Sequence, residues 1–175
     1  MNSEKGLLPV ERFVKTLHVV RQEGGHLSYS WRRMFSASVD AAWVKKLADD
    51  PEGAERLEAF VSRFGRMQDT IADKLLPRWL QALAERPGTQ IEVLNRAEQL
   101  DVVTSVSDWL EARTLRNRLV HEYMEDAEDF AEGLTLASRY SLMLMDTYNR
   151  VRDFALHRMD AEETTLPAAL QLPGV

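Results

Sequence analysis

The sequence contains no cysteine among its 175 residues, and this absence excludes both disulfide-stapled domains and thiolate zinc sites. Long hydrophobic runs are also missing. The longest uninterrupted apolar stretches are short, such as Leu142 to Met145. A transmembrane helix needs roughly 20 mostly apolar residues. The N-terminal region carries Glu4, Lys5 and Glu11 and has no signal-type apolar segment. We therefore expect a soluble, cytoplasmic protein.

Basic residues are also fewer than acidic residues. The 22 lysines and arginines are outnumbered by 28 acidic residues, which gives a formal net charge of −6. Proteins that coat duplex nucleic acid neutralise its phosphates with a strongly basic surface. The charge balance argues against such a protein, and it confines any nucleic-acid contact to a local basic site.

Apolar residues recur at three- and four-residue intervals along most of the chain, which is the period of amphipathic helices. Gly24 and Gly25 are expected to end the first helix, and residues 26–38 are expected to form a short helix or a packed loop. Pro77 should kink or split the long helix that contains it. The predicted helices cover 7–22, 40–48, 51–85, 90–100, a segment that starts after the capping residue Ser105, and 127–159.

These segments predict an all-α protein, an up-and-down bundle of five to six helices. Residues 51–159 would form the helical core. Residues 1–50 would be a helical extension packed on that bundle. Residues 160–175 contain two prolines and a glycine, so we expect a flexible C-terminal tail there.

Most familiar catalytic signatures are absent from the sequence. It has no glycine-rich phosphate loop, no His-Glu-x-x-His and no Gly-x-Ser-x-Gly. Glu-x-x-His occurs once, at Glu23 to His26, and is not repeated as carboxylate-bridged di-metal sites require. The four histidines, at 18, 26, 121 and 157, show no ligand spacing. We therefore expect neither a metal site nor a cofactor. The four tryptophans are interpreted as core residues, and Arg32 and Arg33 as a solvated face or a partner contact.

One segment near the end of a predicted helix concentrates polar chemistry among apolar residues. Arg116 and Tyr123 are seven residues apart, so on an ideal helix they lie within about 20° of one face. His121 would be about 140° away from Arg116, whereas Asn117 and His121 would be surface neighbours. The residues of interest in this segment are Arg113, Arg116, Asn117, Arg118, His121 and Tyr123.

Spacing alone leaves two readings of this segment open. Histidine and arginine are common at helix C-termini because they complement the helix dipole and bond the last carbonyl groups. The same residues could also act on RNA. Histidine titrates near neutrality and can move a proton from a ribose hydroxyl, and an arginine fork can hold a phosphate.

The run Arg116-Asn117-Arg118-Leu119-Val120-His121-Glu122-Tyr123 resembles the Arg-x-x-x-x-His-x-Tyr motif of HepT-type toxins, which belong to the HEPN family of helical domains. Its flanks are similar as well. Trp109 to Arg113 precedes the motif, and residues 63–69 resemble the preceding long helix of such proteins. The likeness spans roughly residues 55–158, and residues 1–50 have no counterpart in it.

This resemblance implies a dimeric helical bundle in which two copies of the motif meet across the interface. It implies a metal-independent endoribonuclease from a toxin–antitoxin pair. By position, Arg116 would stabilise the transition-state phosphate and His121 would act as acid or base, with Asn117, Arg113 and Arg118 in support. A nucleotidyltransferase antitoxin would transfer AMP to Tyr123 and so silence the toxin.

Some HEPN relatives keep the fold and serve as partners of nucleotidyltransferases. A second hypothesis is therefore a non-catalytic, dimeric helical binding module that acts as substrate or nucleotide-binding partner of such an enzyme. The sequence leaves open whether the protein is an enzyme at all.

Overall fold

The computed structural model describes residues 4–121 and 126–174, and no strand occurs within these ranges. A π-helical turn, Ile71–Leu75, joins α3 to α4, so the described ranges hold six continuous helices. This confirms the predicted all-α bundle. The helices are α1 (Pro9–Met34), α2 (Ala41–Lys46), α3 (Pro51–Thr70), α4 (Leu76–Ala82), α5 (Gln90–Gln99), α6 (Val106–His121) and α7 (Ala127–Arg158). Over the same residues, no helix combines the length and the hydropathy needed to cross a lipid bilayer.

The bundle is built around the long helices. α1 packs against α3, α4 and α7, and α6 packs against α3 and α7. The largest fully buried side chains come from several helices and include Trp79, Trp109 and Tyr148. The core interpretation of the tryptophans is therefore confirmed for these two, while Trp31 and Trp43 are partly buried against the same core.

The predicted end of the first helix at Gly24 and Gly25 is wrong, because α1 continues to Met34. A glycine inside a helix costs about 1 kcal/mol relative to alanine. Burial of Leu27 and Met34 beyond the glycines offsets that cost. Gly24 also has a packing role. A Cβ atom there would lie 2.4 Å from Leu170 Cδ1, so any larger residue would displace the Leu170 side chain.

α1, which lies within the predicted extension of residues 1–50, contributes buried side chains to the bundle core. Its side chains Phe13, Leu17, Val20 and Leu27 are at most 1% exposed. The predicted helix at 40–48 is present as α2 and is followed by a 3₁₀ turn, Leu47–Asp49. Asp40 caps α2 by accepting a hydrogen bond from the Trp43 amide at 2.8 Å.

Pro77 changes the long helix as expected, through a π-helical turn just before it. A proline in a helix removes the hydrogen bond to the carbonyl four residues earlier and crowds that carbonyl. For Pro77 this carbonyl belongs to Asp73, which lies in the wider π turn. Helical turns of this kind are frequent at functional sites, and this one borders the cleft described below.

The C-terminal segment is packed along α1 and α7, unlike the flexible tail that the sequence predicts. Leu166, Pro167 and Leu170 are buried. Asn149 and Leu170 exchange two hydrogen bonds, with the Leu170 amide donating to Asn149 Oδ1 at 2.8 Å and Asn149 Nδ2 donating to the Leu170 carbonyl at 2.9 Å. Tyr148 donates its hydroxyl proton to the Ala168 carbonyl at 2.8 Å. Apolar burial and satisfied backbone groups thus outweigh the local preference of proline and glycine for irregular structure.

Replacement of Leu170 by alanine tests this packing. Because the side chain is 6% exposed and lies against Gly24, Leu170→Ala should lower the free energy of unfolding by about 2 kcal/mol or more. Leu8 is 66% exposed, so Leu8→Ala should change it by less than about 0.5 kcal/mol. Urea titrations of both variants provide the measurement. Equal stabilities of the two variants would contradict the packing of the tail.

Candidate functional site

Arg116, the first residue of the HEPN-like motif, points from α6 towards α3. Its Nη2 donates to Asp69 Oδ2 at 2.8 Å, and its Nη1 donates to Asn117 Oδ1 at 3.4 Å. The Arg116 side chain is 32% exposed, so the ion pair with Asp69 faces solvent on one side. The guanidinium is therefore held in a defined orientation but stays accessible.

Gly65 explains how the arginine can lie so close to α3. A Cβ atom at this position would be 2.8 Å from Arg116 Nε and 3.3 Å from its Cγ. Gly65 and Asp69 are one helical turn apart, so they share one face of α3. The glycine makes room for the side chain, and the aspartate binds its end.

An open cleft of about 690 Å³ lies beside this ion pair, between α3, the π turn, α6 and the start of α7. Leu57, Val61 and Phe130 contribute apolar surface to its wall. Its charges are balanced, with three basic and three acidic side chains. These are Arg66, Lys74, Arg116, Glu58, Asp69 and Asp73.

Arg113 takes part in a separate polar chain. It donates to Gln90 Oε1, and Gln90 Nε2 donates to Asp73 Oδ1 at 2.7 Å. This chain connects α6 to α5 and to the π turn on the edge of the cleft. Arg118 lies on another side of α6, where it lines two smaller cavities next to α7 together with Leu115. The three arginines of the motif region thus face different neighbours.

His121 is the last residue of α6 and is exposed, and it does not line the cleft that Arg116 lines. Because α6 is unbroken from Arg116 to His121, the offset of about 140° expected for five residues on a helix holds here. Tyr123 lies outside the described residues. The structure therefore brings Arg116 and Asn117 together with Asp69, and it does not bring His121 into the same cleft of one chain.

A half-buried carboxyl group in contact with Thr70, which lines the cleft, was not predicted from the sequence. Glu23 Oε1 on α1 accepts a hydrogen bond from the Thr70 hydroxyl at 3.0 Å, and Oε2 is buried without a partner. Burial raises the pKa of Glu23 above its usual 4.5, an effect that the Thr70 bond and nearby Arg66 only partly oppose. The contact depends on how α1 packs on α3, for which the local sequence carries no signal.

Within the part of the chain that the structure describes, no three histidine, aspartate or glutamate side chains gather as the ligands of a metal ion would. No family model, curated protein or solved structure matches this chain. The HEPN-like identity rests on the motif and its flanks, and it stays a prediction.

Glu23 leads to a prediction about pH. Its raised pKa means that the folded state prefers the neutral carboxyl. Its contribution is therefore fully present below the unfolded pKa and is lost as pH rises through the higher folded pKa. The stability of the wild type relative to Glu23→Gln should fall between pH 4 and pH 8, as measured by urea unfolding. A constant difference between the two proteins across that range would contradict the assignment.

Proposed function

We propose that this protein is a metal-independent endoribonuclease of the HepT-like HEPN toxin type. The observation that best supports the proposal is the placement of Arg116, which lies at the wall of an open cleft and is oriented by Asp69 over Gly65. A preoriented guanidinium can stabilise charge that develops on a phosphate in the transition state. Asn117, bonded to the same guanidinium, supports that orientation.

The proposed reaction uses the ribose 2′-hydroxyl as its nucleophile. His121 takes the hydroxyl proton, the 2′-oxygen attacks the adjacent phosphorus, and the bond from phosphorus to the 5′-oxygen breaks. Arg116 stabilises the negative charge on the phosphate oxygens, and the protonated His121 gives its proton to the departing 5′-oxygen, which leaves a 2′,3′-cyclic phosphate. No metal ion takes part in these steps.

The proposal requires a second copy of the chain. Arg116 and His121 do not share a cleft within one chain, so the arginine of one protomer would work with the histidine of its partner. A two-fold axis beside α6 would place two copies of the motif together. The two copies of Arg116 would also supply local positive charge at the cleft in a protein whose net charge is −6.

Substitution of the two motif residues tests the nuclease. Purified wild type should cut RNA in the presence of a metal chelator, and expression of the chain alone should stop growth. His121→Ala should lower the cleavage rate about 10²- to 10⁴-fold, because it removes the acid–base group. Arg116→Ala should lower it by a comparable factor.

Arg86→Ala, an exposed arginine outside the motif, is the matched control and should cut at the wild-type rate. Harmless expression of the wild type together with intact RNA would refute the enzyme.

Regulation of the toxin follows from the same proposal. Co-expression with a nucleotidyltransferase antitoxin, the partner that the HepT resemblance implies, should produce an AMP adduct on Tyr123, detected by mass spectrometry of tryptic peptides. Tyr123→Phe should abolish the adduct, whereas Tyr140→Phe should retain it. An unmodified wild type would count against this form of regulation without affecting the nuclease.

A second candidate function is the non-catalytic binding module that partners a nucleotidyltransferase. It is favoured by the separation of His121 from the cleft and by the volume of that cleft, about 690 Å³, which falls in the range of small-molecule sites. Calorimetry with AMP and ATP separates the two functions. Saturable binding that Arg116→Ala removes, together with intact RNA, would favour the module.

A further inference from the structure

A second groove, distinct from the cleft beside Arg116, lies between the C-terminal half of α1 and the N-terminal half of α3. Its volume is about 360 Å³. Three of its lining residues are arginines and one is an exposed aromatic residue, and two glutamates lie on the α3 side. The residues that matter are Tyr29, Arg33, Glu52, Glu55, Arg56 and Arg63.

Each arginine of this groove donates a hydrogen bond to an uncharged hydroxyl or carbonyl oxygen. Arg33 Nη1 donates to the Tyr29 hydroxyl at 3.2 Å, and the Arg33 guanidinium lies 5.8 Å from the centre of the Tyr29 ring. Arg63 Nη1 donates to Ser30 Oγ at 2.7 Å and to the His26 carbonyl at 3.3 Å. Arg56 Nε donates to the Glu52 carbonyl at 3.4 Å.

None of these three guanidinium groups has a carboxylate oxygen within 4.0 Å among the residues that the structure describes. Some arginines elsewhere in the chain are paired directly, such as Arg78 with Glu4 at 2.9 Å and Arg96 with Glu85 at 2.7 Å. The groove therefore keeps three guanidinium groups outside ion pairs in a protein with an excess of acid. Such groups are ready to bind an external anion.

The layout favours a ligand with several anionic groups and flat rings. Arg56 and Arg63 are seven residues apart on α3, about 10 Å along the helix axis, so they offer a row of cations along the groove. Tyr29 is 55% exposed, so its ring is available for stacking. A single-stranded nucleic acid carries one phosphate and one base per nucleotide, and proteins bind it with cationic grooves and aromatic platforms. An acidic peptide would match the arginines but offers no regular partner for the ring.

We propose that this arginine groove binds single-stranded nucleic acid, with phosphates held by Arg33, Arg56 and Arg63 and a base stacked on Tyr29. The choice of RNA as the natural ligand rests on the proposed nuclease function. The groove and the cleft lie on neighbouring sides of α3, because one is lined by Ala59 and Arg63 and the other by Glu58 and Ser62. One strand crossing α3 can therefore contact both.

Binding of a fluorescent 2′-O-methyl oligouridine tests the groove, because this probe lacks the 2′-hydroxyl that cleavage would need. Fluorescence anisotropy across a salt series should show that Arg33→Ala/Arg56→Ala binds about tenfold more weakly at low salt. The slope of log affinity against log salt should fall by about 1.4, since each lost phosphate contact removes about 0.7 for single strands. Arg86→Ala/Arg139→Ala changes the net charge equally at exposed positions outside the groove and should bind like the wild type.

Two further comparisons make the test independent of folding defects. Tyr29→Ala should weaken binding several-fold while Tyr29→Phe, which retains the ring, should not. Glu55→Gln should tighten binding, because it removes a negative charge from the groove wall; a partner with basic groups would instead bind more weakly to this variant. Thermal melts establish that each variant is folded.

The groove proposal is overturned if Arg33→Ala/Arg56→Ala and its charge-matched control bind equally, or if an oligoglutamate peptide binds more tightly than the oligonucleotide. Failure of the nuclease has a different signature, namely intact RNA with normal binding of the probe. Failure of the groove alone would leave cleavage dependent on Arg116 and His121 but independent of Arg33 and Arg56.

Discussion

The close packing of α1 on α3 is the interaction on which most of this structure depends. α1 runs unbroken from Pro9 to Met34, and Gly24 keeps its surface flat enough for other segments to approach. The same contact places Glu23 against Thr70, which lines the cleft. Farther along, it sets Tyr29 and Arg33 opposite the arginines of α3. The contact between Glu23 and Thr70 and the arginine groove thus both follow from one helix pair.

The second constraint is the close approach of the Arg116 side chain to the backbone at Gly65. Gly65 lets Arg116 cross from α6 to α3, where Asp69 binds it. An exposed ion pair of this kind contributes little to stability, typically 0 to about 1 kcal/mol. Its consequence lies in orientation, since it holds a cation at the edge of an open cleft. The same geometry separates Arg116 from His121, and it makes a second protomer necessary for the proposed chemistry.

Much of the fold could be predicted from local sequence. Capping residues and apolar periodicity locate α2, α5, α6 and α7 to within a few residues, because those signals act over one or two turns. The end of the first helix was predicted wrongly, since the glycine rule considers only local preference and not the contact between Gly24 and Leu170. The packing of residues 160–174 was missed for the same reason. Apolar side chains there pack against α1, which is far away in sequence, and against α7.

The candidate site also has a part that local sequence predicts and a part that depends on packing between distant helices. The motif from Arg116 to Tyr123 is contiguous, so a resemblance could identify it. Asp69, Gly65 and Glu23 come from other helices, and only their packing reveals them as neighbours of the cleft. The arginine groove likewise joins residues about 30 positions apart in sequence, of which the pattern indicated only Arg33, as a solvated face or a partner contact.

The central claim is that Arg116 of one protomer acts with His121 of its partner. Mixing the inactive Arg116→Ala and His121→Ala proteins tests it directly. Random exchange of subunits leaves half of the dimers mixed, each with one intact site out of two, so cleavage should return to about one quarter of the wild-type rate. A mixture as inactive as either variant alone would contradict the claim, because a site contained within one chain cannot be restored by exchange.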